Sequence, residues 1–429
     1  MQFYYFSMKL DSKKIELLAP AGDLAKLKTA FRFGADAVYC GLPALSLRAR
    51  VNKFTQEDLT VGIKYAHQLG KKVFVALNIY AHNCHLGEVK KHILFLKKIK
   101  PDALIISDPG IIMLVRKYWP QAEIHLSTQA NTTNFLAANF WQKAGVKRII
   151  LARELTLKEI KEIGQKTKDL ELECFVHGAM CMSYSGRCIL SKWIMNRSAN
   201  LGDCAQPCRW AYHVQKIKDS KLLRVIDDQQ RFNLDLEEDQ HGTYFFNSYD
   251  LNLIEQIPEL IKVGVGFFKI EGRAKSAYYL AIVTRAYRQI INAVKAKATE
   301  QELKKIIEQE KRELNNLVHR GYTTGFLLGN EPEHNFLNRN NETKFQFVGE
   351  VENQEKDFAT VYVHNGFSLK DRLEAITPQK NISLKIKKIL DYKGKKVATA
   401  NGGHQHRYQV FFDTILQAGD LLRREANFK

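Results

Sequence analysis

The chain has 429 residues, 45% of them hydrophobic, and a formal charge of +19 from 65 Lys+Arg against 46 Asp+Glu. That length suffices for two or three domains with a large core, and the absence of any run of about 18 apolar residues argues against a helical membrane span. A positive surplus of this size suits a polyanionic partner such as nucleic acid, although a basic enzyme whose charges are solvated accounts for it equally well.

Residues 1–14 read as an N-terminal extension without the basic leader and apolar core of a secretory signal. The expectation is a cytoplasmic protein in a reducing compartment, which sets a disulfide framework aside. From residue 15 to 297, short apolar runs alternate with amphipathic helical stretches such as Leu24–Phe33, Gln56–Leu69 and Gly87–Ile99. The strand candidates are IELLAP, DAVYCG, KKVFVALN, DALIIS, EIHLSTQ, RIILARE, LECFVHG, TYFFNS and FFKIEGR. Such alternation predicts parallel βαβ units, and their number fits a (β/α)8 TIM-barrel-like domain better than an open sheet. Nine candidates for eight places leave one outside the barrel.

The apolar runs stop at polar residues: Asn78, Ser107-Asp108, Ser127 and Gln129, Arg153-Glu154, His177, Asn247, and Glu271 with Arg273. Barrels carry their chemistry at the carboxyl ends of the strands. Turns and caps are polar in any protein, but arginine, histidine and glutamate at so many strand ends point to a rim site. His177, Glu271 and Asn78 are the catalytic candidates, and Gln129, Arg153 and Arg273 the substrate-binding ones.

An insertion at about 179–241 interrupts the pattern and holds Cys181, Cys188, Cys204 and Cys208 at a spacing of C-x6-C-x15-C-x3-C. Structural zinc favours tight C-x2-4-C knuckles in pairs, whereas iron–sulfur clusters need four thiolates and tolerate looser spacing. An iron–sulfur centre therefore stands ahead of zinc, with redox or buried thiols as further readings. Cys40, Cys84 and Cys174 lie in or near apolar runs and read as packing residues. His177, four residues before Cys181, offers a base for a nucleophilic thiol, but no other hydrolase motif accompanies it.

Residues 298–344 read as a charged helix near 300–317 followed by a linker. From 345 to 429, FVGEV, ATVYVH, SLKIKKIL and RYQVFF predict a small all-β domain, barrel-like. Within it Lys385, Lys387, Lys388, Lys393, Lys395 and Lys396 form a basic ribbon. It serves either to grip RNA or to protect a sheet edge.

The segment ECFVHGAMCMSYSGRCILS resembles the hallmark of peptidase family U32, the collagenase-like proteins. ELLAPAGDLAKLKTAFRFGADAVYCG, SLRARVNKF, HLSTQAN, RIILARELTL, NSYDL and KIEGRAKSAYY extend the likeness over nearly the whole chain. ISDPGIIMLVR, HRGYTTGFL and the C-terminal domain are most similar to the branch that acts on tRNA. The resemblance implies oxygen-independent, prephenate-dependent hydroxylation of wobble uridine 34 to 5-hydroxyuridine, with the tRNA anticodon loop and prephenate as partners. It also implies a 4Fe-4S cluster on Cys181, Cys188 and Cys204, with Cys208 chosen as fourth ligand by proximity. Such redox chemistry calls for an electron donor as a further partner. Prephenate carries two carboxylates, for which Arg48, Arg50, Arg153 and Arg273 supply planar forks. The family's alternative activity, a collagenase-like peptidase, finds no recognisable catalytic set here.

Overall fold

The structure is a computed structural model that describes residues 15–43, 45–46, 52–181, 183–216, 222–229, 233–237, 248–330, 341–403 and 407–426. In chain order its first elements are β1 (Glu16–Pro20), α1 (Leu24–Arg32), β2 (Ala37–Cys40), α2 (Gln56–Gln68) and β3 (Lys72–Leu77). They continue with α3 (Leu86–Ile99), β4 (Ala103–Ile106), α4 (Pro109–Tyr118), β5 (Ile124–Leu126), α5 (Phe135–Lys143), β6 (Arg148–Ile150), α6 (Leu157–Lys166) and β7 (Glu171–Ala179). The insertion holds α7 (Leu190–Met195), β8 (Tyr212–Lys216), β9 (Leu222–Asp227) and β10 (Asn233–Glu237). After it come β11 (Asp250–Asn252), α8 (Ile257–Lys262), β12 (Phe267–Ile270), α9 (Ala277–Lys295), α10 (Glu300–Asn315) and β13 (Tyr322–Thr323).

Strands β1 to β7 pair in parallel in chain order, β12 pairs β7, and β1 pairs β12, which closes an eight-stranded parallel barrel. The eight are the sequence candidates other than TYFFNS, whose residues before Ser248 lie outside the described residues. Buried on both faces, they read as continuous apolar runs, as parallel strands do. The helices start where their caps dictate. Thr55 with Asp58 and Thr156 with Glu159 form capping boxes for α2 and α6, and Asp108 caps α4 with Pro109 in its first turn.

The amino end of the barrel is closed by charge. Arg148 at the start of β6 is 2% exposed and bonds Glu16 at 3.4 Å, Glu171 at 3.0 Å and Glu173 at 3.3 Å, with its guanidinium 3.4 Å from the Phe267 ring centre. His125 lies among these groups, 2.8 Å from Glu123, and burial first, then Arg148, hold it well below its usual pKa, hence neutral. Glu123, His125 and Glu171 offer ligand atoms within 4.8 Å of one another, but Glu171 is already engaged by Arg148. Around Arg148 the layer is a network of ion pairs with Glu16, Glu171 and Glu173.

By packing, the chain forms two units. The first comprises the described parts of 1–24, 36–274 and 319–340, and the second those of 25–35, 275–318 and 341–429. The second unit contains α9, α10 and an antiparallel β domain. Its strands are β14 (Phe345–Gln354), β15 (Ala359–Val363), β16 (Phe367–Ser368), β17 (Leu373–Ile376), β18 (Asn381–Leu384), β19 (Ile386–Leu390), β20 (Lys396–Val397), β21 (Thr399–Ala400), β22 (Arg407–Phe412) and β23 (Leu421–Glu425). Eight of them form one sheet in the order β18-β17-β23-β14-β15-β22-β19-β20 over a core that includes Val348, Val361, Phe367, Leu373 and Val410. Arg423, 1% exposed, binds both carboxylate oxygens of Glu313 from α10 and also reaches Glu374. Among the described residues no helix is long and apolar enough to cross a membrane.

Candidate functional site

A cavity of about 520 Å³ opens at the carboxyl ends of the barrel strands. Strand alternation supplies its floor. In β12 Lys269 lines the cavity while its neighbour Ile270, on the opposite face, is 0% exposed. Glu271 and Arg273, just past the strand's end, join Lys269 on the lining. Tyr39 from β2, Asn78 after β3, Ser127 and Gln129 after β5, and Arg153 after β6 complete the wall.

The polar groups hold one another in place. Lys269 is 3% exposed and its Nζ bonds Glu173 Oε1 at 2.8 Å. Burial holds Lys269 below its usual pKa, with Glu173 opposing. Burial would raise Glu173, but Lys269 and Arg148 outweigh it and lower it. Each group thus offsets part of the cost of burying the other's charge. The Tyr39 hydroxyl lies 3.1 Å from Glu271 Oε2 and 3.0 Å from the Ile270 carbonyl. Burial, then the Glu271 charge, push the phenol well above its usual value, so Tyr39 keeps its proton. Arg153 donates from Nη1 to the Ala179 carbonyl at 2.9 Å and lays its guanidinium 4.0 Å from the Phe175 ring centre, while its buried Nε finds no acceptor among the described residues. Ser107 donates to Gln129 Oε1 at 3.3 Å.

The cysteine segment forms the facing wall. Cys181, Cys188, Cys204 and Cys208 all line the same cavity. The other three thiols act electrostatically on Cys208, whose pKa burial chiefly pushes up to about 11. The loop is built rather than loose. Glu154 accepts 2.5 Å hydrogen bonds from Ser185 N and Oγ, fixing Ser185 at φ 45°. Ala205 N donates to Ser191 Oγ at 2.8 Å, Arg197 pairs with Asp203, and Gln206 N donates to Cys204 Sγ at 3.3 Å. Among the described residues no three of these sulfurs come within 4.8 Å of one another. A single tetrahedral zinc, with metal–sulfur bonds of about 2.3 Å, would gather them more tightly. A four-iron cluster carries its thiolates outside a larger core and also favours N–H donors to sulfur. Four thiols on one lining, one of them accepting a backbone N–H, are the ligand types that such a cluster takes.

Asn78, Gln129, Arg153, Glu271, Arg273 and the four cysteines, all singled out from sequence, are thus brought to one cavity. Arg48 and Arg50 lie outside the described residues. His177 is not on the cavity wall: it is 1% exposed and its ring lies 5.5 Å from that of Tyr322. The reason is a register shift between β7 and β12, where Lys269 pairs with Phe175 but Ile270 pairs with His177. Phe175 therefore faces inward with Lys269, and His177 faces outward with Ile270. Sequence reading missed Lys269, Tyr39 and Tyr184. A lysine two residues before Glu271 in an apolar strand was the available signal for the first, whereas Tyr39 reads as core.

Residues 22–336 match peptidase family U32 and residues 343–423 match the peptidase family U32 C-terminal domain. The chain is 42% identical to tRNA hydroxylation protein P of Escherichia coli, over 91% of this chain and 92% of that protein. It is 36% identical to tRNA hydroxylation protein P1 of Bacillus subtilis, over 96% and 95%. A 23S rRNA 5-hydroxycytidine C2501 synthase of Escherichia coli is 37% identical over 67% of this chain and 41% of its own length. With its barrel and its C-terminal domain both matched, the chain belongs to peptidase family U32.

Proposed function

We propose that this chain is a cytoplasmic enzyme that hydroxylates tRNA, converting wobble uridine 34 to 5-hydroxyuridine with prephenate as co-substrate. The observation that carries the reading is one cavity with four cysteines on one wall and Arg153, Lys269 and Arg273 on the other, in a chain closely related to tRNA hydroxylation proteins. Replacing C5–H by C5–OH is an oxidation, and a 4Fe-4S cluster held by Cys181, Cys188, Cys204 and Cys208 supplies one-electron chemistry when bound. The oxidation removes two electrons from the base, so an oxidant or an oxygen donor that accepts them must take part. The electron donor expected from the sequence would serve only to return the cluster to its reduced state.

The chain's own residues do the rest. Arg153 and Arg273 bind the carboxylates of prephenate, and Lys269 adds positive charge at the floor. Protonated Tyr39 hydrogen-bonds the Glu271 carboxylate, which keeps that oxygen placed to take a proton from the substrate side. The nucleobase comes from a single-stranded loop and is splayed into the cavity at modest unstacking cost. Tyr184, on the lining and 55% exposed, offers a ring for it to stack against. Gln129 and Asn78 offer amides to the base edge.

A peptidase reading has less support. Among the described residues no histidine lines the cavity, and a Cys208 thiol pushed up to about 11 is a poor nucleophile. The test is to incubate anaerobically purified protein with tRNA lacking the modification, with and without prephenate, and measure 5-hydroxyuridine. Prephenate-dependent product supports the reading; cleavage of a collagen-like peptide without product overturns it.

A further inference from the structure

We infer that the β19–β20 hairpin of the C-terminal domain is an RNA-docking arm, with lysines on phosphates and Tyr392 stacking on an unpaired base. The inference rests on the tRNA reading above and adds a second contact to it. Residues 381–400 hold six lysines and a single acid, Asp391. A register shift in β19 between Ile386 and Lys388 lets Ile386 and Ile389 both be buried. Lys385 and Lys387 are exposed, and Lys388 lays its ammonium 4.7 Å from the Phe411 ring centre.

The turn at the tip is rigidly made. Asp391 N donates to the Lys395 carbonyl at 3.0 Å and Gly394 N to the Asp391 carbonyl at 2.9 Å. Asp391 Oδ1 accepts from Lys393 N and Lys395 N, both at 2.9 Å. The one acid of the hairpin is therefore engaged by backbone. Among the described residues the side-chain ammoniums of Lys385, Lys387, Lys393, Lys395 and Lys396 pair with no carboxylate, although backbone N–H groups of Lys385, Lys393 and Lys395 donate to Asp413 and Asp391. Tyr392 stands 63% exposed at the tip, with Lys393 Nζ 5.4 Å from its ring centre.

Edge protection explains Lys387 on the open side of β19. It explains neither Lys393 and Lys395, which lie on the turn beyond the ladder, nor a solvent-facing aromatic among them. Unpaired lysines around an exposed ring are what single-stranded nucleic acid binds, by counterion release and stacking.

The experiment compares wild type, Tyr392→Ala, and a fourfold variant with Lys387, Lys393, Lys395 and Lys396 each changed to Ser. Binding to an unmodified tRNA transcript is measured against KCl concentration, and binding to phosphatidylserine vesicles serves as a second probe. The inference expects the fourfold variant to lose roughly tenfold or more in tRNA affinity, with a salt dependence shallower by about 3. Tyr392→Ala should weaken tRNA binding with the salt slope kept. Melting temperatures stay level, and hydroxylation at saturating tRNA is retained while half-saturation moves upward. Unchanged tRNA affinity and slope overturn the inference, as does a lysine-dependent affinity for the vesicles with none for tRNA. If the hairpin variants lose tRNA binding yet wild type makes no 5-hydroxyuridine, docking stands and the hydroxylase reading falls. Normal product with unchanged binding does the reverse.

Discussion

At Arg153, which lines the cavity, one nitrogen is committed to the Ala179 carbonyl and the plane rests on Phe175, while the buried Nε makes no hydrogen bond among the described residues. A lysine there keeps the charge and loses both the stack and the fork. We expect Arg153→Lys and Arg273→Lys each to lower hydroxylation at least about tenfold, since a lost charge-assisted bond is worth about 1.5–3 kcal/mol. Melting temperatures should change little. Normal turnover with lowered stability would mark these arginines as structural. Ala in place of Cys181, Cys188, Cys204 or Cys208 should remove iron and visible absorbance from anaerobic protein, against about four irons per chain in wild type. Retained iron in a Cys208→Ala protein would remove Cys208 from the ligand set. The cysteines and Arg153 were legible because such side chains at strand ends or in clusters have few packing roles. For Lys269 the local signal was a lysine inside an apolar strand, but its pairing with Glu173, 96 residues away across a closed barrel, is not readable from the sequence.

At the scale of elements, β7 decides which side chains reach the chemistry. Its register shift turns His177 outward, and Gly178 at φ +107° lets the strand run against β12. A Cβ at Gly178 would sit 2.5 Å from the Glu271 carbonyl oxygen. Gly178→Ala should therefore cost about 2 kcal/mol or more and displace Glu271, so both urea stability and turnover fall. Unchanged turnover would argue against a role for Glu271. In α3, burial lowers His92 from 6.5 to about 4. The unfolded chain takes up this proton below pH 6.5 and the folded chain does not, so its contribution to stability is intact above 6.5 and lost towards pH 4. The loss amounts to no more than about 3 kcal/mol. His92→Leu should flatten that part of the stability profile in urea titrations; an unaltered slope would assign it to other groups. The strand order was readable from periodicity and the chain-order pairing of parallel strands, but a one-residue register shift is set by tertiary packing and carries no sequence signal of its own.

Across the molecule, two packing units share a chain that crosses between them more than once, something linear domain boundaries do not express. Within the second unit, Arg423 is the buried hub joining β23 to Glu313 of α10 and Glu374 of β17. Arg423→Met should destabilise that unit by about 3 kcal/mol, because it removes a buried guanidinium that holds the partly buried carboxylates of Glu313 and Glu374. The +19 charge acquires a specific use if the hairpin lysines and the cavity engage one RNA. The most direct test is nucleoside mass spectrometry of tRNA from a strain lacking this gene and every other route to 5-hydroxyuridine. The strain is complemented with wild type or with Cys188→Ala. The account predicts that 5-hydroxyuridine and its derivatives vanish on deletion, return with wild type and stay absent with the variant; unchanged levels in the deleted strain, or full restoration by Cys188→Ala, would contradict it.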